Sequence, residues 1–354
     1  MNTKQPLVIG DLIAKIPVIQ GGMGVGVSLG NLAGSVAACG GVGVISTAQI
    51  GWREEDFSGN PIEANVRSIQ KEIQKARDIA QGGIIGTNIM VATHPYEEYV
   101  KASVKAGVDL IISGAGLPVD LPKFVAGART KIAPIVSSLK SLTVLCRIWD
   151  RKYHKAPDMI VIEGPKAGGH LGFAKEELED MDSLNYDQVV RSIVEKVKEY
   201  GCKYMKKIPV VVAGGIYDKS DMDHALLLGA DGVQMGTRFV TTYECDASVA
   251  YKQVYIDAKK EDIGIVQSPV GMPGRAIYNA FIKRTKKEKI PIPKCYHCIT
   301  TCNPKETPYC ITDALIKAVE GDVENGLLFC GSDAYKASKI EHVADIMGEL
   351  WGHL

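Results

Sequence analysis

Residues 208–239 read IPVVVAGGIYDKSDMDHALLLGADGVQMGTRF, and the order of signals in this stretch decides the fold. Ile208–Val212 is a short apolar, valine-rich run that ends in Gly214-Gly215. A helical pattern follows, with Met222, Ala225, Leu226 and Leu228 apolar among aspartates and a histidine, closed by Gly229. A second buried-type run, Gly232–Phe239, is broken at Gly236-Thr237. Strand, glycine turn, helix, strand, glycine turn is a βαβ unit. Paired glycine turns at the carboxyl ends of neighbouring parallel strands let backbone N–H groups approach an anion closely. In a (β/α)8 barrel, the loops after the last two strands are where phosphate commonly sits.

Working outward, the same alternation continues to the start of the chain. Apolar strand-like runs occur at 17–22, 42–47, 84–91, 110–115, 131–138 and 159–163. Between them lie helical patterns at 29–39, 63–80, 96–106, 139–151 and 188–200. Together with the opening stretch this gives eight parallel strands in strand–helix order, a (β/α)8 TIM barrel. The expected division is a barrel over 1–260 and a C-terminal extension over 261–354. That extension begins with a loop at 265–276 and a solvated basic run at 283–289, and ends in short helices near 313–319 and 340–350.

The totals fit this reading. A length of 354 residues suits a barrel of about 250 residues with an appendage. The 41 basic and 41 acidic residues cancel, so charge points to neither a nucleic-acid nor a membrane partner. No charged residue occurs between Lys15 and Arg53, but the glycines with Gln20, Ser28, Asn31, Ser35 and Gln49 break that span into strand and helix lengths. Nine cysteines without a leader-like start point to a reducing, cytoplasmic setting. The expected partner is a small-molecule substrate, with a homo-oligomer as an open option.

Two further segments carry chemistry. The strand ending at Glu163 opens into GPKAGGHLG, residues 164–172, which places His170 just past a strand's carboxyl end. Barrel active sites are built on that face, and a neutral imidazole is the usual general base. The second segment is CYHCITTCNPKETPYC, residues 295–310, with Cys295, Cys298, Cys302 and Cys310 spaced C-x2-C-x3-C-x7-C. Four thiolates so close can wrap an iron–sulfur cluster or a zinc ion, or be reduced cysteines in a compact tail; the spacing fits neither the two-pair zinc ribbon nor the bacterial ferredoxin run.

AGGI at 213–216, DGVQMGTRF at 231–239, GGM at 21–23, TNIM at 87–90 and AGGHLG at 167–172 resemble the corresponding segments of the nitronate monooxygenase family, formerly 2-nitropropane dioxygenase. Flavin-dependent enoyl-ACP reductases have similar loops. The resemblance implies a flavin held by Gly21, Gly22, Met23, Asn88, Glu163, Gly169, Ala213, Gly214, Gly215, Gln234, Met235, Gly236 and Thr237, with His170 as the base that takes a nitroalkane α-proton. Ser268 and Arg275 are second-rank candidates from a family segment near the flavin. FMN is expected rather than FAD, because there is one phosphate site and no adenylate motif. The expected activity is oxidation of alkyl nitronates or nitroalkanes by O2 to carbonyl compounds and nitrite. The alternatives are an NAD(P)H-dependent enoyl thioester reductase and a non-catalytic flavin or metal sensor. The cysteine tail is a departure, since the family is thought to need flavin alone.

Overall fold

The computed structural model describes residues 5–352. Two short strands, β1 (Leu7–Ile9) and β2 (Leu12–Ala14), form an antiparallel hairpin. Six strands of a parallel barrel follow: β3 (Val18–Gln20), β4 (Val42–Ser46), β5 (Ile84–Met90), β6 (Leu110–Gly114), β7 (Lys131–Val136) and β8 (Ile160–Glu163). A two-residue strand outside the barrel, β9 (Gly169–His170), lies in the loop after β8. The last two barrel strands are β10 (Val210–Ala213) and β11 (Gly232–Met235). Their order around the barrel follows the chain, and β11 pairs with β3 to close it through Gln234 opposite Ile19. These are the eight runs expected from the sequence. The Gly232–Phe239 run is split, however: the strand stops at Met235 and Thr237–Val240 forms a helical turn.

The interior is filled by the inward residues of the strands, among them Ile19, Val44, Ile112, Val161 and Val211. Leu7, Ile9 and Ala14 of the hairpin belong to the same cluster, so the hairpin closes one end of the barrel. No strand signal beyond an apolar run marks that hairpin in the sequence. Around the outside, helix Pro61–Ala80 shows the local logic: Pro61 occupies its first turn, and Ile69, Ile73, Ala76 and Ala80 form its buried stripe. The charge-free span 16–52 folds as small-residue packing. A Cβ on Gly43 would lie 1.7 Å from the Ala33 carbonyl oxygen, so helix Gly30–Ala38 rests directly on β4. Among the described residues no helix is long and apolar enough to cross a membrane.

The segment expected as a loop at 265–276 is instead a hairpin. Strands β12 (Ile263–Gln267) and β13 (Pro273–Ile277) pair antiparallel, and β13 also pairs with β9. Gly264, Pro269, Gly271, Pro273 and Gly274 suggest a loop locally. The two strands pair with each other across a short turn, which the glycines and prolines hide from a local reading, and only the added pairing with β9 comes from far away in sequence. Helix Ala280–Thr285, capped by the Asn279 side chain, precedes an exposed basic run. The tail ends in helices Ile311–Glu320 and Val343–Trp351. Arg238 anchors the last helix through ion pairs with Glu341 and with Glu349, the latter at 2.9 Å.

Candidate active site

At the carboxyl ends of the barrel strands lies a cavity of about 420 Å³. All fourteen residues singled out around His170 and the glycine turns line it, although they come from five separate strand ends and their loops. Gly21, Gly22 and Met23 leave β3, Asn88 projects from β5, Glu163 ends β8, Ala213 to Gly215 follow β10, and Gln234 to Thr237 follow β11. These loops leave little room for side chains on one wall. A Cβ on Gly22 would stand 2.3 Å from the Asn88 Cβ. Gly214 and Gly215 have φ of +89° and +82°, and their Cβ positions face Ala167 and Lys166. The double-glycine turn is thus required by its own backbone and by the loop after β8, whatever else it contacts.

Two buried polar atoms on the cavity wall have no partner: Gln234 Oε1 and Ser332 Oγ. A buried polar atom without a hydrogen bond costs about 1–3 kcal/mol, so a partner supplied by a bound group would be favourable at both. The wall is therefore glycine-lined and polar at two fixed points, which suits a flat heteroaromatic group with a polar tail.

His170 lies in β9, where strand pairing with Gly274 fixes its backbone. Its Nε2 is 2.7 Å from Ser268 Oγ, and its ring meets Phe329 edge-on at 5.0 Å between centroids. The Val270 N–H also donates to Ser268 Oγ, at 3.4 Å. Burial lowers the His170 pKa to about 4, so the imidazole is neutral at ordinary pH. Burial also raises Glu163, to about 7. Of the second-rank candidates, Ser268 contacts His170 and Arg275 does something different. The Arg275 guanidinium donates to the carbonyls of Pro165 (2.7 Å) and Ala167 (2.6 Å), pinning the loop that carries His170. Neither residue lines the cavity.

The contribution of the tail is not visible in the sequence. Phe329 to Asp333 line the cavity, the Gly331 N–H donates to Thr237 Oγ1 at 2.8 Å, and the Ser332 N–H donates to the Lys166 carbonyl. Lys166 is the one lysine or arginine among the described lining residues, yet in the sequence it reads only as part of a glycine loop. Its side chain passes Gly215, beside the double-glycine turn. The dipeptide Gly331-Ser332 is the available signal, but nothing local ties it to a barrel about 90 residues earlier.

The four cysteines of the tail line a different cavity, of about 350 Å³. None is in a disulfide.

A sequence model of the nitronate monooxygenase family matches residues 6–352. A probable nitronate monooxygenase of Staphylococcus saprophyticus is 35% identical over 137 residues, which is 38% of this chain and 36% of that protein. The chain thus matches about a third of the length of that relative. One from Staphylococcus aureus strain Newman is 27% identical over 314 residues, covering 80% of this chain and 81% of that protein. Among solved structures, FabK from Thermotoga maritima has a TM-score of 0.71 at 26% identity, covering 95% of this chain and 91% of that one. A nitroalkane oxidase from Streptomyces ansochromogenes shares the fold at 18% identity, with a TM-score of 0.69 and 95% of each chain covered.

Proposed function

The chain belongs to the nitronate monooxygenase family and is an oxidoreductase, and on that premise we propose that it binds FMN at the barrel mouth and oxidises alkyl nitronates. The observation that carries this is the convergence of fourteen family-like residues on one cavity that also holds two unpartnered polar atoms. Gln234 Oε1 would accept a ring N–H, and Ser332 Oγ would donate to a phosphate oxygen. The turns at Gly214-Gly215 and Gly236-Thr237 would surround that phosphate, and Lys166 would offset its charge. Gly21, Gly22, Met23 and Asn88 would face the ring. When bound, FMN supplies the redox chemistry and the reaction with O2.

The protein's own part is to hold the substrate, keep water out and manage its proton. A neutral nitroalkane must lose its α-proton before oxidation, whereas a nitronate has already lost it. His170, with a conjugate acid near 4 and its Nε2 occupied by Ser268, accepts a proton reluctantly. Nitronate is therefore the favoured substrate form, and His170 would act as the base only when the neutral nitroalkane is the substrate. The reaction balances as two nitronates and one O2 giving two carbonyl compounds and two nitrite ions: at each carbon one oxygen atom replaces nitrogen, which leaves as nitrite.

The test is to release and identify the bound chromophore, then follow O2 consumption and nitrite formation with pre-formed nitronate. One FMN per chain and stoichiometric nitrite are expected. Folded protein that carries no flavin and takes up none from added FMN would sink the cofactor assignment. Rapid anaerobic reduction by NAD(P)H, with reoxidation by an enoyl thioester and no nitrite, would replace the reaction with that of an enoyl reductase.

A further inference from the structure

The second cavity brings together all four tail cysteines, Cys295, Cys298, Cys302 and Cys310, with His94 and His297. Its floor is not a loose tail. The His94 N–H donates to the Cys298 carbonyl at 3.0 Å, the Thr300 N–H donates to the Ala92 carbonyl at 3.0 Å, and Thr93 forms a β-bridge with Ile299. The cysteine segment is thus tied to the chain leaving β5. Cys310 caps the ten-residue helix Ile311–Glu320, so the positive end of that helix faces its sulfur. The His297 N–H already donates to Cys295 Sγ at 3.4 Å.

The lining decides the class of ligand. Among its described residues there is no Asp, Glu, Lys or Arg, so a hard cation finds no carboxylate and an anion finds no ammonium or guanidinium. What remains are four soft sulfurs and two imidazoles amid isoleucines. Size separates the metal options. Zinc bonds sulfur at about 2.3 Å, which draws four thiolates to within about 4 Å of one another. Among the described residues, no group of three or more His, Cys, Asp or Glu side chains is gathered closely enough to hold a metal ion as the side chains stand. Yet the same four thiols surround about 350 Å³, far beyond the roughly 10–15 Å³ that a water needs.

We infer that Cys295, Cys298, Cys302 and Cys310 bind an iron–sulfur cluster in this cavity, each of the four thiolate sulfurs a terminal ligand to iron. Ile311 faces the cluster cavity and Leu315, on the same helix, faces the barrel mouth, about 6 Å further along the axis. Met90 lines the barrel mouth and belongs to the same apolar cluster as Cys298. The cluster therefore lies one layer of side chains from the mouth. The inference stands on this cavity alone and is independent of the flavin reading.

The full chain is purified without oxygen and, separately, reconstituted with ferrous iron and sulfide under a thiol reductant. Iron, acid-labile sulfide, zinc and flavin are measured on the same samples. About four irons and four sulfides per chain are expected for a four-iron cluster. Cys295→Ser, at a partly exposed position, and Cys302→Ser should each lower iron severalfold while flavin content and circular dichroism hold. Cys202→Ser, at an exposed helix position, should leave iron unchanged. One zinc per chain without sulfide would overturn the cluster. So would folded protein, with or without flavin, that takes up no iron on reconstitution.

Discussion

His170 Nε2 and Ser268 Oγ are 2.7 Å apart, though 98 residues separate them in the chain. The pairing brings the β12–β13 hairpin over the barrel mouth and sets which ring nitrogen is free. In the tautomer in which Nε2 accepts from Ser268, the hydrogen is on Nδ1. His170→Asn should keep bound FMN and retain most nitronate oxidation. With neutral nitroalkane the loss should be greater, up to the roughly 10²–10⁴-fold that general bases contribute. Ser268→Ala frees Nε2 and should raise the nitroalkane rate relative to nitronate. Steady-state nitrite assays with both substrate forms check this. Equal losses for His170→Asn on both would assign it to binding alone.

Gly22→Ala should remove flavin without unfolding the protein. Its Cβ would lie 2.3 Å from the Asn88 Cβ, so Asn88 must move within the cavity wall. Gly214→Ala is a poorer probe, because that residue would be strained at φ +89° and would meet the Ala167 N and Gly164 carbonyl. The measurement is flavin content against melting temperature. Gly22→Ala should lower the first far more than the second, and a variant with full flavin occupancy would contradict the cavity assignment.

Lys166→Ala should weaken FMN about fivefold, as expected for about 1 kcal/mol from an exposed charge pair. Riboflavin, which lacks the phosphate, should bind both forms alike. Fluorescence titration at two salt concentrations tests this, and high salt should narrow the FMN difference. An equal effect on both ligands would place Lys166 elsewhere than at the phosphate.

Glu163 gives a pH signature. Its folded pKa, about 7, lies above the ordinary carboxylate value, so the folded state holds its proton more tightly. Its stabilising contribution is complete below the unfolded pKa and is lost as pH rises through 7. Glu163→Gln should therefore raise the melting temperature of flavin-free protein at about pH 8 more than at about pH 5. His170, whose folded pKa is lowered to about 4, works in the opposite direction, losing stability as pH falls from 6.5 toward 4. Thermal melts of the wild type and Glu163→Gln across roughly pH 4–8 separate the two. A gain that is uniform in pH would refute the protonation account.

The sequence by itself determined the barrel, because each strand and helix carries its own period and the glycine turns sit at fixed offsets from strand ends. That is why residues 210–213 and 232–235, with their turns, are legible from local pattern alone. The fourteen site residues are legible through family-like segments at strand ends and in the loop after β8, and closing the barrel brings those segments together. What tertiary structure alone decided were the pairings across long stretches of chain. The β12–β13 hairpin gives no local sign that it docks on β9, and Arg275 reads as a cofactor contact until its guanidinium meets the carbonyls of Pro165 and Ala167. Ser332 and Lys166 carry only a weak local signature, since their place on the cavity wall depends on a tail that folds back onto the barrel mouth. Local periodicity reports how a segment meets the core in general. Hydrogen bonds between distant segments depend on which surfaces the closed barrel presents, and that is set only once the chain has folded.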